Sequence, residues 1–412
     1  MLDENIIGND VKAAIDSLGH YPLKNYVIRQ HDYTKIISAL EKDYNLSLTE
    51  TEKLLEICVH DLKDNMRYTT SILGILLLIL SRVQMGKYDA YPDLLPSALA
   101  VIHILKTTCA MNNTDSVKQL SFETLLAFPN NTLLAALEHH EELMEVSSLY
   151  CQMKINVKLR MQACFLVHRL LKILPPQKRR QFVDKRVSFW FSNIIPTCMH
   201  LEVIEHEESV ELLEILAEEL AVIDFTDNQH WRCVLESICS ANKYPAIMKV
   251  LLHRGNDRWH RIWIAFIRLL KHQVTQLMDS IGTPINSMLP VVESAFKVDV
   301  ANRCKAFDCW MVLIDSFSTE TNESNINKRL KLLVIPLKSN NAKAEATALA
   351  KFKCWWHLIV KFQNKIDRFI DIILVSFLNF CFGKYNATDR TALIPGQISM
   401  AVKKQCIQGI VD

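Results

Sequence analysis

Apolar residues recur three and four positions apart through segment after segment of this chain, each roughly 12 to 20 residues long. Almost no segment alternates strictly between apolar and polar residues, as a half-buried strand would. A proline stops or kinks a helix, because it lacks a backbone N–H and clashes with the preceding turn. The sequence therefore predicts an all-α chain, with breaks between helices at Pro92, Pro96, Pro129, Pro175, Pro176, Pro196, Pro245, Pro284, Pro290, Pro336 and Pro395.

One apolar spacing occurs twice with an alanine at its centre. It runs through Val157, Arg160, Ala163, Val167 and Leu170, and again through Val300, Arg303, Ala306, Trp310 and Leu313. A weaker third copy starts at Ala342, with Ala348 at the alanine position and Trp355 at the leucine position. In helix pairs of the HEAT type, a small residue at this point permits close helix approach, and the apolar positions bury one face of the helix.

This spacing predicts an all-α, HEAT/armadillo-like α-solenoid of antiparallel helix pairs; another all-α arrangement, such as a bundle or a globular fold, is the alternative. At roughly 40 to 47 residues per repeat, the chain would hold about nine pairs. No Gly/Ser linker or low-complexity tract interrupts them. We expect residues 1–412 to form a single continuous helical-repeat domain with an extended surface for binding another macromolecule.

Glycine is scarce, at 9 of 412 residues. Nucleotide-binding folds need glycine where the backbone approaches phosphate, and neither G-x-G-x-x-G nor G-x-x-x-x-G-K-[ST] is present. The pairs His140-Glu141 and His206-Glu207 begin like the helical zinc-protease motif, but each lacks the second histidine. No nucleophile elbow and no cysteine in a catalytic context occurs. We therefore predict no catalysis, no cofactor and no metal.

The most apolar runs are too short to span a membrane. Ser71–Leu80 lies between Arg67 and Arg82, which leaves about 14 uncharged residues where a span needs about 20. We interpret it, and the shorter Ile372–Phe382, as buried core helices, and we expect no membrane association. The amino terminus lacks the pattern of a signal peptide. The 12 cysteines are scattered without a C-x-x-C motif, which favours reduced thiols used as small hydrophobes in a cytosolic or nuclear protein.

Charge is segregated along the chain, although the formal net charge is only +2. Residues 1–227 carry 22 basic and 31 acidic side chains, whereas residues 228–412 carry 25 and 14. The cations concentrate in three blocks, Lys154–Arg186, Arg254–Lys271 and Lys328–Arg368. These blocks could bind DNA phosphates or a phosphorylated partner, or could simply be solvated faces. The candidate contacts are Lys178, Arg179, Arg180, Lys185, Arg186, Arg254, Arg258, Arg261, Lys328, Arg329, Lys331, Lys338 and Lys343.

Two other segments suggest alternative functions. Leu201–Asp227 contains ten acids and no lysine or arginine, which would suit a transport or trafficking adaptor that binds its cargo there. Arg186–Phe189 matches the R-V-x-F motif that docks type-one protein phosphatase on its regulators, which would make the chain a phosphatase regulatory subunit. That motif works as an exposed, extended segment, whereas the following Trp190 and Phe191 have the spacing of a buried helix face.

An ordered series of tryptophans, prolines and basic residues lies between Leu289 and Lys361. It comprises Leu289-Pro-Val-Val-Glu-Ser-Ala-Phe296, Arg303-x-x-Ala306-Phe-x-x-Trp310-x-x-Leu313-Ile-Asp315, Lys328-Arg-Leu-Lys-Leu-Leu333 and Ala348-Leu-Ala-Lys-x-x-x-Trp355-Trp356. The series resembles the N-terminal helical-repeat region of the Rap-interacting-factor family, telomere-associated and replication-timing chromatin proteins, in an insect member. The matched tryptophans, together with Trp263, have core spacing, so we expect them to pack in the interior and not to stack on bases.

The resemblance implies a non-catalytic HEAT-like scaffold located in the nucleus, on chromatin and at telomeres. It implies DNA binding, structure-specific more than sequence-specific, and control of replication origins with type-one protein phosphatase through the full-length protein. It also implies a role in DNA repair with phosphorylated repair or chromatin proteins, and that this chain is the N-terminal part of a longer protein. The C-terminal phosphatase-docking and DNA-binding segments of the animal family are absent from these 412 residues. Homo-oligomers are a further expectation.

Overall fold

The computed structural model describes residues 2–20, 26–64, 66–86, 93–110, 115–139, 142–152, 156–222, 243–270, 284–339, 344–385, 392–395, 404 and 408. The helices are α1 (Leu2–Gly19), α2 (Tyr26–Glu41), α3 (Leu48–Asp64), α4 (Thr69–Gln84), α5 (Leu95–Ala110), α6 (Asp115–Ala127), α7 (Asn130–His139), α8 (Glu142–Gln152), α9 (Val157–Ile173), α10 (Pro176–Asp184), α11 (Val187–Phe189), α12 (Ile195–Cys198), α13 (Leu201–Ile204), α14 (Glu207–Leu220), α15 (Lys243–His253), α16 (Arg258–Leu269), α17 (Pro284–Ala295), α18 (Val300–Ser318), α19 (Glu323–Lys338), α20 (Glu345–Phe362) and α21 (Leu374–Phe382). Short 3₁₀ segments span Met66–Tyr68 and Gln363–Arg368, and a π segment spans Trp190–Ile194. Strands β1 (Gly383–Tyr385) and β2 (Ala392–Pro395) form one antiparallel hairpin.

The chain packs as two compact units. Unit 1 contains residues 1–182 and 193–212, and unit 2 contains residues 183–192 and 213–412. The expectation of a single continuous domain over 1–412 stays a prediction.

Helices within each unit stack in two rows. In unit 1, α1, α3, α5 and α7 contact one another in succession, and so do α2, α4, α6 and α9. In unit 2, α15 contacts α17, while α16, α18 and α20 form the second row. Helices that follow one another in the chain, such as α1 and α2 or α15 and α16, pair across the rows. This stacking of helix pairs is the arrangement of HEAT-like α-solenoids, so the predicted fold class is confirmed.

Local sequence explains where several helices begin. Ser47 and Glu50 form a capping box before α3, because the Glu50 carboxylate accepts from the Ser47 backbone N–H at 2.8 Å and Ser47 Oγ accepts from that of Glu50 at 3.3 Å. Asp299 caps α18 by accepting from the Asn302 N–H at 2.7 Å, and Asn322 caps α19 in the same way. A glycine at positive φ, Gly255 at 69°, ends α15.

The carbonyls at several helix ends are satisfied by a basic side chain from one repeat further along the chain. The last four carbonyls of a helix have no partner inside it. Arg82 of α4 donates to the Leu40 carbonyl at 2.7 Å, Arg169 of α9 to that of Phe128 at 2.6 Å, and Lys365 to that of Glu320 at 2.7 Å. The partners are 42, 41 and 45 residues apart, close to the roughly 40 to 47 residues of a HEAT-type repeat.

Lys351 performs the same task over a shorter separation. Its Nζ donates to the Ser339 carbonyl at the end of α19 at 2.5 Å and lies 5.1 Å from the centre of the Phe380 ring. The side chain is fully buried, and this burial lowers the pKa of its ammonium group to about 8. Lys351 therefore ties α19, α20 and α21 together.

Most of the core predicted from the sequence is observed. Ala163, Ala306 and Ala348 are all buried, and the run Ser71–Leu80 forms the interior of α4. Among the described cysteines all are free thiols, and only Cys304 is not buried. The described helices include none that is long and apolar enough to cross a membrane.

Three expectations are corrected by the structure. The breaks expected at Pro290 and Pro336 are wrong, because Pro290 lies in the middle of α17 and Pro336 in the last turn of α19. Each proline removes one intrahelical bond, and the burial of the adjacent Val291 and Leu337 offsets that loss. The expectation that Ile372–Phe382 is fully buried holds for only one face of α21. Phe377 and Phe380 are buried there, but Val375 and Leu378 are exposed.

We predict that Arg82→Met lowers the free energy of unfolding by about 2 to 4 kcal/mol, because the Leu40 carbonyl and neighbouring acceptors lose a charged donor inside the protein. Urea unfolding followed by circular dichroism measures this change. Lys185→Met removes an exposed cation and should change the free energy by less than about 0.5 kcal/mol. Equal effects of the two substitutions would contradict the role assigned to Arg82.

Lys351 makes stability depend on pH in the alkaline range. Its folded-state pKa of about 8 lies below the ordinary value of 10.5, so between these pH values the unfolded chain binds more protons than the folded one. The stability of the natural protein relative to Lys351→Met should therefore rise with pH through this window, by up to about 3 kcal/mol, and stay constant below pH 8. Denaturant unfolding of both proteins from pH 7 to 10 tests this, and a flat difference would refute it.

Candidate functional site

The first predicted basic block lies on α10 and just after it. Pro176 occupies the first turn of α10, where its missing N–H costs nothing. Lys178 is exposed and pairs with Glu138 of α7 at 2.6 Å, while Arg179 is half-buried and Arg180 exposed. Part of the charge of this block is therefore neutralised inside unit 1.

Lys185 and Arg186 belong to unit 2, where Lys185 is exposed and Arg186 half-buried. The R-V-x-F segment that starts at Arg186 is helical, and Val187 is buried. The Trp190 indole donates to the Val183 carbonyl at 3.0 Å, which fixes this short helix. The segment therefore lacks the extended, exposed conformation that a phosphatase-docking motif needs, which removes the structural basis for the regulatory-subunit alternative.

The second block flanks the start of α16. Arg254 is exposed and Arg258 half-buried. Arg261 binds the Glu214 carboxylate of α14 through two nitrogens, at 2.8 and 2.6 Å. Because both of its forked donors are engaged, Arg261 is a poor candidate for an incoming phosphate.

The acidic segment 201–227 is also largely occupied by internal pairing. In unit 1, Glu211 accepts from His168 at 2.8 Å and from Lys172 at 2.7 Å, and the bond from Lys172 lowers the pKa of this carboxyl group. In unit 2, Glu214 pairs with Arg261. These acids serve as links between helices, which weakens the adaptor alternative; residues 223–227 lie outside the described part of the chain.

Arg329, in the third block, is buried, whereas the sequence predicted an exposed cation. It is 5% exposed, pairs with the Glu320 carboxylate and lies 5.6 Å from the centre of the Phe317 ring. The prediction that it binds an anionic partner is therefore wrong. The physical reason is its position on the inward face of α19, beside the buried Leu330 and Leu333.

The remaining lysines of α19 form one exposed stripe. Lys328, Lys331 and Lys338 occupy positions i, i+3 and i+10, with Ile335 at i+7, so all four fall on one side of the helix. All three lysines are exposed, and Ile335 is 61% exposed. Within residues 284–339 and 344–385, none of the three has an acidic partner. We call these four residues the α19 lysine stripe; Lys343, the last candidate, lies outside the described residues.

Several cations on the neighbouring row of unit 2 are paired instead. Lys361 of α20 contacts Asp315 of α18 at 2.9 Å, and Lys305 contacts Asp257 at 3.4 Å. His357 joins Lys361 on Asp315 at 2.8 Å, and these contacts lower the pKa of that carboxyl group against the opposing effect of its burial. The α19 lysine stripe therefore differs from these paired cations, because its three lysines lie on one face of a helix and have no acidic partner among the described residues of unit 2.

The tryptophans occupy the positions expected of them. Trp263, Trp310 and Trp355 are buried, and Trp356 is half-buried. The Trp263 indole donates to the Met288 carbonyl at 3.0 Å and that of Trp310 to the Leu333 carbonyl at 2.8 Å. The packing role of Trp263, Trp310 and Trp355 is confirmed, and these buried rings offer no stacking surface for bases, whereas Trp356 is only half-buried.

Sequence reasoning missed two features of this site. Ile335 was not singled out, although its spacing from Lys328 already placed it on the same face. Lys351 belongs to the third basic block, but it lies three residues after Ala348 and four before Trp355, on the buried face of α20.

No group of three or more potential metal-binding side chains occurs in the described residues.

Comparison with known proteins identifies the chain's relatives. The family described as Rap1-interacting factor 1 N terminal matches residues 93–373. Telomere-associated protein RIF1 of Drosophila melanogaster is 27% identical over 202 residues, which is 48% of this chain and 14% of that protein. The proteins of the same name from Gallus gallus and Homo sapiens are 28% and 26% identical, over 48% of this chain and 8% of theirs.

The matched region thus spans a small part of each of these relatives. No solved structure matches the chain. The family match covers the segment 289–361 whose residues suggested the resemblance, and it extends well before that segment. Because the family match covers more than half of the 412 residues, the chain belongs to the Rap1-interacting factor 1 N-terminal family.

Proposed function

We propose that this chain is a non-catalytic helical scaffold within a nuclear, telomere-associated chromatin protein, and that it binds DNA through the α19 lysine stripe. Family membership and the names of the relatives support the chromatin setting. The single observation that carries the binding proposal is the stripe itself, because its three exposed lysines have no acidic partner in the described part of the chain.

The dimensions of the stripe suit a phosphate backbone. A helix rises about 1.5 Å per residue, so Lys328 and Lys338 are separated by about 15 Å along α19. One DNA strand presents a phosphate about every 3.4 Å along the duplex axis, so three lysines can reach three phosphates without reading bases. We expect binding that is insensitive to sequence and strongly dependent on salt.

The wider role follows the family. We propose that the full-length protein acts in replication timing and DNA repair, controls origins together with type-one protein phosphatase, and engages phosphorylated repair or chromatin proteins. Because the R-V-x-F segment of this chain is helical, we propose that phosphatase contacts involve another part of the full-length protein. The other exposed basic residues, Lys178, Arg180, Lys185 and Arg254, are secondary candidates for the same DNA.

The α19 lysine stripe can be tested by reversing its charge. The triple variant Lys328→Glu, Lys331→Glu, Lys338→Glu should bind a short DNA duplex at least about tenfold more weakly at low salt, because three phosphate contacts are lost. The slope of log affinity against log salt should also become shallower by about 3. Fluorescence anisotropy across a salt series measures both quantities.

A matched control carries the same change in net charge at three exposed lysines elsewhere in unit 2: Lys243→Glu, Lys297→Glu and Lys353→Glu. Its salt slope should change by less than about 1. If the two triple variants lose affinity equally while both keep their helical content, the binding is nonspecific and the stripe is not the site. If a phosphopeptide displaces the duplex only from proteins with an intact stripe, a phosphorylated partner shares this surface.

A further inference from the structure

A groove that the proposed function does not use crosses unit 1. It consists of two adjoining cavities of about 710 and 450 Å³, both lined by Asn130, Asn131 and Arg169. The larger cavity follows α9 to Glu208 at the start of α14, and the smaller one reaches the end of α4 and Asp93. The groove therefore runs from the end of α4, past the end of α6 and the start of α7, to α9 and α14.

The length of the groove suits a short extended peptide. Packed helices lie about 8 to 10 Å apart, so two or three helix spacings correspond to roughly 16 to 30 Å. An extended chain covers about 3.3 Å per residue. Five to nine residues of an extended peptide would therefore fill the groove.

Side-chain amides in the groove present the groups that a peptide backbone needs. The Asn130 amide oxygen accepts from Arg169 Nε and Nη2 at 3.0 and 2.9 Å, and that of Asn131 accepts from the Thr132 backbone N–H. Among the described residues, neither amino group has a partner. Gln84 donates to the Ala127 carbonyl at 2.7 Å, which leaves its own oxygen as an acceptor. Two donors and an acceptor match the alternating C=O and N–H groups of an extended strand.

The floor of the larger cavity is apolar. Leu126, Leu134, Phe165 and Ile173 line it and are only half-buried. The Phe165 ring packs edge-on against His206, with their centres 5.4 Å apart, so its position is fixed. Such a floor accommodates the apolar side chains that an extended peptide directs to one side at every second residue.

The charges of the groove determine which peptide fits. The cations inside it are already engaged, because Arg169 binds Asn130 and the end of α6, and Lys172 binds Glu211. Acids mark the two ends: Asp93 is exposed and Glu208 half-buried. In the described part of the chain neither forms an ion pair. A nucleic-acid phosphate would be repelled there, whereas a basic side chain would pair at each end.

We propose that this groove binds an extended peptide of about five to nine residues from a protein partner, with apolar side chains at alternate positions and a basic residue near each end. The groove and the α19 lysine stripe lie in different units, so this proposal does not depend on DNA binding.

A charge-swap experiment tests the proposal with two fluorescent probe peptides, Lys-Val-Ser-Leu-Ser-Val-Lys and its twin with glutamates in place of both lysines. The natural protein should bind the lysine peptide at least about tenfold more tightly than the glutamate peptide. Asp93→Lys combined with Glu208→Lys should reverse this preference. Asp10→Lys with Glu202→Lys, two exposed acids of unit 1 outside the groove, should leave it unchanged.

The double variant must keep its helical circular dichroism and its melting temperature for the comparison to be valid. Asn131→Ala is a second, uncharged variant, and it should weaken the binding of both peptides equally. Three results would overturn the proposal: unchanged preference in the groove variant, no saturable binding of either peptide to the natural protein, or displacement of the lysine peptide by a DNA duplex. Loss of DNA binding in the stripe variant with peptide binding intact would leave the groove proposal standing.

Discussion

The hydrogen bonds from a basic side chain to the carbonyl end of a helix one repeat earlier hold this architecture together. Arg82, Arg169 and Lys365 each reach back 41 to 45 residues to a helix end that would otherwise leave carbonyls unsatisfied in a packed interior. Because the acceptors belong to the preceding repeat, each bond fixes the position of one helix pair relative to the next. Hydrophobic stacking supplies most of the stability, and these bonds set the register of the stack.

The same register arranges the surface charges. Side chains one repeat apart face each other between successive helices of unit 2, so several cations meet an acid, as Arg261 of α16 meets Glu214 of α14 and Lys361 of α20 meets Asp315 of α18. The α19 lysine stripe lies outside the row of α16, α18 and α20, and its lysines have no acidic partner among the described residues of unit 2. Several cations of the basic half of the chain are therefore paired with acids inside the protein. For this reason the basic blocks of the sequence overstate the number of cations that can bind a partner.

The fold class follows from the sequence because helical periodicity and the spacing around Ala163, Ala306 and Ala348 are local properties. The availability of a given cation is not local. Arg329 is neutralised by Glu320 nine residues earlier, across the turn that joins α18 to α19, and periodicity contains no information about that turn. Lys351 is a different case, since its position between Ala348 and Trp355 marked it as inward-facing and only its charge suggested otherwise. The groove of unit 1 arises from helix ends brought together across repeats, which no single segment encodes.

Amide hydrogen exchange of Arg169→Met tests most directly whether side chains one repeat apart hold the helices of the stack together. Exchange at the end of α6, around residues 124–128, should accelerate at least about tenfold, because the carbonyls that Arg169 binds lose their donor and the last turn frays. The end of α2, held by Arg82, should keep its protection. Unchanged exchange at the end of α6, or equal acceleration at both helix ends, would show that these hydrogen bonds do not hold the stack together.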